Sequence, residues 1–267
     1  MKPLVMSFVA AAALCCAAAS ADEGPVKKRR PLPQEFGRVI IQNHSAKAGL
    51  APVVFEHWLH RSKFTCRLCH VDVGFAMKAG ATGIRAEDNA ADQYCGACHN
   101  DHAKFDGRKT FESCSKGVVS LRATCVRCHS LGKEVKPERD FASVTRNLPR
   151  GRFGNGVDWE KAELDKLIKP IDYLEGISIK RTALTAQKDF ALSPKLEGMP
   201  EIIFSHVKHT AWNGCELCHP EIFVGVKRGT TKYSMVDIFA GKSCGACHVT
   251  VAFPLLDCQR CHVKPVH

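Results

Sequence analysis

The sequence predicts a chain with little regular secondary structure, made of short helices and a short β-hairpin, arranged as two tandem modules around prosthetic groups. Three observations predict it. The pattern Cys-x-x-Cys-His occurs six times, from Cys66 to His70, Cys95 to His99, Cys125 to His129, Cys215 to His219, Cys244 to His248 and Cys258 to His262. The two halves align without a gap over a long stretch at an offset of 149 residues, the mark of a duplicated unit. Each unit is also too short to bury a large core of its own side chains.

In each pattern two thiols stand one helical turn apart and can form thioethers to the two vinyl groups of a haem, while the adjacent histidine lies under the iron as axial ligand. The attachment residues are then Cys66, Cys69, Cys95, Cys98, Cys125, Cys128, Cys215, Cys218, Cys244, Cys247, Cys258 and Cys261, and the proximal ligands are His70, His99, His129, His219, His248 and His262. Paired cysteines also make zinc ribbons, redox dithiols and disulfides. Zinc needs no histidine after every pair, and a dithiol oxidoreductase carries one motif on a βαβ pattern. A histidine in all six places selects six covalently bound haem c groups: a multihaem cytochrome c.

Taken in order, the chain opens Met1-Lys2, runs through an alanine-rich apolar stretch from Leu4 to Ala19, and offers Ala19-Ser20-Ala21 before Asp22. Residues 1–21 read as a secretory signal, and Cys15 and Cys16 leave with it. Leu14 and Cys15 are poor residues to precede a lipidated cysteine, and the run is short and weakly hydrophobic for a retained anchor. No later stretch could span a bilayer. Haem c is attached outside the bacterial cytoplasm, so the expected address is the periplasm, with association at the outer surface as a variant.

Residues 22–50 form an N-terminal extension in which Gly37 to Ile41 reads as a short strand with no evident partner. The first trihaem module spans 51–132 and the second 199–267. Phe55-x-His57-x-x-His60 matches Phe204-x-His206-x-x-His209, and the first two motifs of each half match as well. The third motif is delayed in the first half by an insertion containing Cys114. That cysteine stands outside the motifs and reads as a small buried apolar residue; no function is assigned to it. Val53 to Phe55 and Ile202 to Phe204 read as short strands leading into helical turns, with the haem motifs on short helices or turns. Residues 133–198 read as a linker with one amphipathic helix, Asp158 to Lys169, with Trp159, Ala162, Leu167 and Ile168 apolar, Pro170 ending it, and one module as its packing surface. Hydrophobic burial is expected to be chiefly haem against protein, with no stable fold without haem.

Lys and Arg exceed Asp and Glu by 38 to 27, a formal charge of +11, which alone would suggest a nucleic-acid binder. Each ferric haem with two ionised propionates adds about one negative charge, and a ferrous one about two, so six haems cancel most of the excess. The basic residues then read as propionate partners and solvated surface, and no nucleic acid is expected. Lys27 to Arg30 is the densest basic cluster and, among prolines, reads as a mobile tail.

His57 with His60, and His206 with His209, are pairs three residues apart just upstream of a haem motif. On a helical turn such residues project from neighbouring directions, so one pair can serve two haems. Lone histidines are usually core residues with hydrogen-bonded rings; repetition at matching positions favours ligation.

The Phe-x-His-x-x-His element before Cys-x-x-Cys-His, together with Gly241-Lys242-Ser243-Cys244-Gly245-Ala246-Cys247-His248 followed by Ala252-Phe253 and the last motif, resembles the trihaem cytochromes called cytochrome c-seven (class III). The resemblance covers both modules but not the linker or the extension. It implies that His57 serves the haem of His70, His60 that of His99, His206 that of His219 and His209 that of His248. It also implies a histidine or methionine for the third haem from the segment between the first two motifs. In the second module that segment holds Met235, assigned to the haem of His262. The aligned position in the first module is Ala86, so the pattern breaks there. Met77, His102 and an open iron are the alternatives for the His129 haem, and Met77 is the assignment made.

With most irons closed on both sides, the chemistry left is electron exchange. The expected function is an electron carrier in the periplasm or at the outer surface, in anaerobic respiratory or extracellular electron transfer, with no enzymatic activity. Its partners would be an inner-membrane donor and a periplasmic or outer-membrane acceptor. The rivals are a reductase of a small oxyanion at one open haem, which needs a catalytic cluster that the sequence does not show, and a structural subunit of an electron conduit.

Overall fold

Strand β1, Arg38–Ile41, finds its partner in β2, Val53–Glu56, running antiparallel with Val39 opposite Phe55. Arg38 closes the ribbon end by giving Nε at 2.7 Å and Nη2 at 2.6 Å to Glu56 Oε1. The second half repeats the device with β5, Phe190–Leu192, against β6, Ile202–Phe204, Phe190 lying opposite Phe204. Each module-opening strand is thus paired to a strand from outside the span aligned by the repeat. A third ribbon, β3 Lys104–Phe105 with β4 Arg108–Lys109, lies in the insertion between the second and third motifs of the first half. This computed structural model describes residues 31–114, 125–133, 136–182, 188–194, 196–225, 227 and 229–263. The stretch expected to be a leader, with Cys15 and Cys16, and the Lys27 to Arg30 cluster lie outside them.

Helices are short. The histidine pairs open α1, His57–Arg61, and α5, His206–Asn213. Helix α2, Ala86–Ala90, and α6, Met235–Phe239, precede the second motif of each module, and α7, Gly245–His248, carries the fifth. Among the described residues no helix is long and apolar enough to cross a membrane.

The interval between the modules holds α3, Phe141–Thr145, and α4, Trp159–Leu164, each with an aspartate cap: Asp140 Oδ1 accepts from Ser143 N at 2.7 Å and Asp158 Oδ1 from Lys161 N at 3.1 Å. The amphipathic helix expected over Asp158 to Lys169 ends early, because Lys166 takes a left-handed conformation, φ 57°, and Leu167 N turns back to the Ala162 carbonyl. Leu167 is consequently half exposed, while Trp159, Ala162 and Ile168 are buried.

These residues form the side-chain core. Trp58 of α1, Val157, Trp159, Ala162 and Ile168 pack together, flanked by Leu59, Phe141, Val144, Leu148 and Trp212 of α5. The segment therefore packs on both histidine helices rather than on one module. Arg61 of α1 sits 4.9 Å from the Trp159 ring and 5.5 Å from the Trp212 ring, a desolvated cation over two aromatic faces, and gives Nη1 to the Val251 carbonyl at 2.7 Å. Trp212 Nε1 donates to Glu163 at 2.6 Å. Replacing Trp159 with Ala is expected to cost about 3–5 kcal/mol, read as a lower unfolding temperature of the haem-loaded protein; an unchanged transition would show that this cluster does not hold the fold.

Candidate functional site

Five of the six motifs close a single helical turn, the histidine N–H donating to the carbonyl of the first cysteine: His99 to Cys95 and His129 to Cys125 at 2.8 Å, His262 to Cys258 at 2.9 Å, His219 to Cys215 at 3.0 Å and His248 to Cys244 at 3.1 Å. The first motif runs into a wider π-type turn, Leu68–Asp72. Two thiols and an imidazole are thereby brought to one side of each turn.

Backbone carbonyls orient the rings. His70 Nδ1 donates to Phe75 O at 2.8 Å, His219 to Phe223 O at 2.7 Å and His248 to Phe253 O at 2.9 Å. The third motifs reach further: His129 Nδ1 donates to Ala51 O at 2.7 Å and His262 Nδ1 to Pro200 O at 2.8 Å. Ala51 and Pro200 are themselves 149 residues apart, so the third stations are equivalent despite the insertion. Upstream, His57 Nδ1 donates to Gly37 O at 2.6 Å, His60 to Glu56 O at 3.2 Å and His209 to Ser205 O at 2.7 Å, with His206 loosely against Lys188 O at 3.4 Å. A carbonyl can only accept, so Nδ1 carries the proton and Nε2 keeps its lone pair for a metal. His99 is the exception: its Nδ1 is buried, and the Phe111 carbonyl is near enough to offset part of the burial effect without completing a hydrogen bond.

Three of these rings face their assigned counterparts. His57 and His70 have centroids 6.4 Å apart and planes 9° from parallel; His60 and His99 are 6.4 Å apart, and His209 and His248 6.3 Å. Two metal–nitrogen bonds of about 2 Å plus the two ring radii span that separation, so an iron fits between each pair. The fourth pair is not brought together in this way: His206 lies against Phe190 and Phe204, and His219 against Phe223. Phe55 stacks on His60 and Phe204 on His209, both at 4.4 Å, which holds each upstream ring on its helix.

The methionines are placed less tightly. Met235 is the first residue of α6, whose cap is Ser234. Met77 lies in a loop pinned by Thr82 Oγ1, which accepts from Ala76 N at 3.0 Å, and by Asn43 Nδ2, which donates to Gly80 O at 2.7 Å. Both line one connected cavity of about 3140 Å³, shared with His57, His60, His70, His99, His209, His248 and His262. Ordinary ligand pockets hold about 300–1,000 Å³, so this space suits several large groups. His102 is exposed and turns Nδ1 to its neighbour Asn100 O at 2.8 Å.

Burial first, then neighbouring thiols, pushes Cys69, Cys95 and Cys247 up to about 12, and Cys128, Cys218 and Cys261 up to about 11. Thiols of different motifs act on one another: Cys128 on Cys95, Cys98 on Cys69, Cys66 on Cys218 and Cys247, and Cys244 on Cys261. Cys114 acts in the same way with Cys95, Cys125 and Cys128. Among the described residues no three or more His, Cys, Asp or Glu converge as a metal cage.

The profile of the family described as cytochrome c7 and related cytochrome c matches residues 53–131 and 202–263, together more than half of the chain. The chain belongs to this family. It is thus a multihaem c-type cytochrome, an electron-transfer protein. Among solved structures, a c7-type three-haem cytochrome domain is 38% identical over 29% of this chain and 95% of that one, with a TM-score of 0.26. The C-terminal hexahaem fragment of GSU1996 is 23% identical over 85% of this chain and 96% of that one, TM-score 0.25, and the dodecahaem cytochrome c GSU1996 is 25% identical over 86% and 75%, TM-score 0.27. No functionally curated protein matches.

The carbonyls that orient the rings were not singled out from the sequence, because every residue carries one. One signal was available: a phenylalanine four or five residues after His70, His219 and His248. The glycine after the first cysteine of the second motif was also legible only in part. A Cβ on Gly96 would stand 1.9 Å from the Asn89 carbonyl, and one on Gly245 1.9 Å from the Ile238 carbonyl. Gly245→Ala is expected to displace α6 with Met235 and to change the spectrum of one haem, seen by low-temperature magnetic circular dichroism; a spectrum identical to the parent's would contradict this placement.

Burial lowers His57 and His60 to about 4 from 6.5, with His70 and His99 respectively adding to the effect. Both rings are neutral at pH 7. An unfolded chain takes up protons below about 6.5, where the folded one does not, so stability falls as pH drops below 6.5. Denaturant titrations of the haem-loaded cytochrome between neutral and mildly acid pH, followed at the Soret band, are expected to show this slope; a flat profile would contradict it.

Proposed function

We propose that this cytochrome holds six haem c groups and carries electrons in the periplasm or at the outer surface, in anaerobic respiratory or extracellular electron transfer. The observation that supports it most directly is the set of three facing imidazole pairs, each with room for one iron and with Nδ1 tied to backbone on at least one side. On this reading the pairs are His57 with His70, His60 with His99, His206 with His219 and His209 with His248, while Met235 stands opposite His262 and Met77 opposite His129. A haem closed by two protein ligands exchanges single electrons at its edge and offers no site to a substrate.

The chain's own residues then do three things. The twelve thiols fix the macrocycles covalently. The carbonyl-bound imidazoles keep a proton on Nδ1 and aim Nε2. The thioether sulfur of Met235 or Met77, a weaker donor than imidazole, raises the potential at the end station of each module. The partners on this reading are an inner-membrane donor and a periplasmic or outer-membrane acceptor.

Carbon monoxide titration of the reduced protein tests the ligand set. No uptake at neutral pH is expected from the parent, and one equivalent from His209→Ala, which opens the station of His248. Rapid uptake of several equivalents by the parent would end the carrier reading.

A further inference from the structure

Arg181 lies in the interval between the modules and touches both. Its Nη2 donates to Asp72 Oδ1 at 2.6 Å and its Nε to Glu216 Oε1 at 2.6 Å, while Nη1 donates to the Ile179 carbonyl at 3.2 Å. Asp72 comes two residues after His70, and Glu216 follows Cys215 inside the fourth motif. The Asp72 side chain is 0% exposed and that of Arg181 20%. A carboxylate so buried needs a cation beside it, and the planar guanidinium fork can satisfy two carboxylates in a fixed geometry where lysine could not.

Independent contacts bring the same two motifs together. Arg67, inside the first motif, closes on Gly214, the residue before Cys215: a Cβ there would stand 2.6 Å from Arg67 Cδ. Gly214 also has φ 64°, a conformation glycine adopts without strain. Arg67 is ion-paired with Asp172. Leu68 and Leu217, which occupy the same place in the two motifs, are 2% and 7% exposed. Surface ion pairs alone would contribute little, but here a buried charge, a missing side chain and two buried leucines coincide.

We propose that Arg181 is a positioning residue that clasps the first haem motif of one module to the first of the other. The modules meet at the stations of His70 and His219, and the guanidinium charge favours the reduced state of the groups held there. This rests on the electron-carrier reading and adds the place where the two halves join.

The test uses the full haem-loaded protein with Arg181→Gln and, as the conservative control, Arg181→Lys. Haem methyl signals followed by NMR during a redox titration resolve each station. In Arg181→Gln the midpoints at His70 and His219 are expected to fall together with the other four unmoved, and exchange between the modules in half-reduced protein is expected to slow severalfold; Arg181→Lys, which returns the charge but not the fork, is expected to restore the two midpoints and not the exchange. Should Arg181→Gln fail to load haem, Arg181→Gln with Asp72→Asn, which removes the stranded carboxylate, is measured for exchange alone, with the same slowing expected. Unchanged midpoints and exchange, or six stations shifting alike, would overturn the proposal. Parent protein with no covalent haem, or with no reversible reduction, would overturn the carrier reading instead.

Discussion

The hydrogen bond from histidine Nδ1 to a backbone carbonyl is the constraint on which the rest of this structure depends. It recurs at five of the six motif histidines and at the four upstream ones. Each bond fixes a tautomer and a ring direction at once. Several acceptors come from places the motifs cannot reach alone: Gly37 before β1 and Ala51 and Pro200 before the module-opening strands. The short ribbons and helical turns make sense as supports for those carbonyls. A β1–β2 ribbon of four residues per strand has little stability of its own, but it carries Gly37 O to His57.

Division of labour in burial follows from this. The chain has a side-chain core, yet it lies in the interval between the modules, where Trp58, Trp159 and Ala162 meet Trp212. Around the histidines there is instead a cavity of about 3140 Å³, lined by Phe55, Phe204, Phe223 and Phe253. Apolar macrocycles would complete that surface and supply the burial that short modules lack.

The two halves are alike where a ring must be held and unlike where the chain is free to differ. His129 and His262 reach carbonyls at matching positions, although sixteen more residues separate the second and third motifs in the first half. A Cβ on Gly96 or Gly245 would stand the same 1.9 Å from a helix carbonyl. The helix that docks there starts with Ala86 in one half and Met235 in the other. Backbone docking is thus preserved while the first side chain of the docked helix changes.

By itself the sequence determined the chemistry: six thiol pairs with a following histidine, two upstream histidine pairs, the duplication, and the strand-to-turn segments before His57 and His206. These are local patterns, set by spacing along a few residues, and spacing survives without tertiary information. Only the tertiary structure decided what crosses long distances. It paired β1 with β2 and β5 with β6, ended the linker helix at Lys166, and packed that helix on Trp58 and Trp212 together. It also brought Arg181 to Asp72 and Glu216. Such contacts depend on where backbone carbonyls and buried charges arrive after the chain has closed, and every residue has a carbonyl, so no motif announces which one will be used.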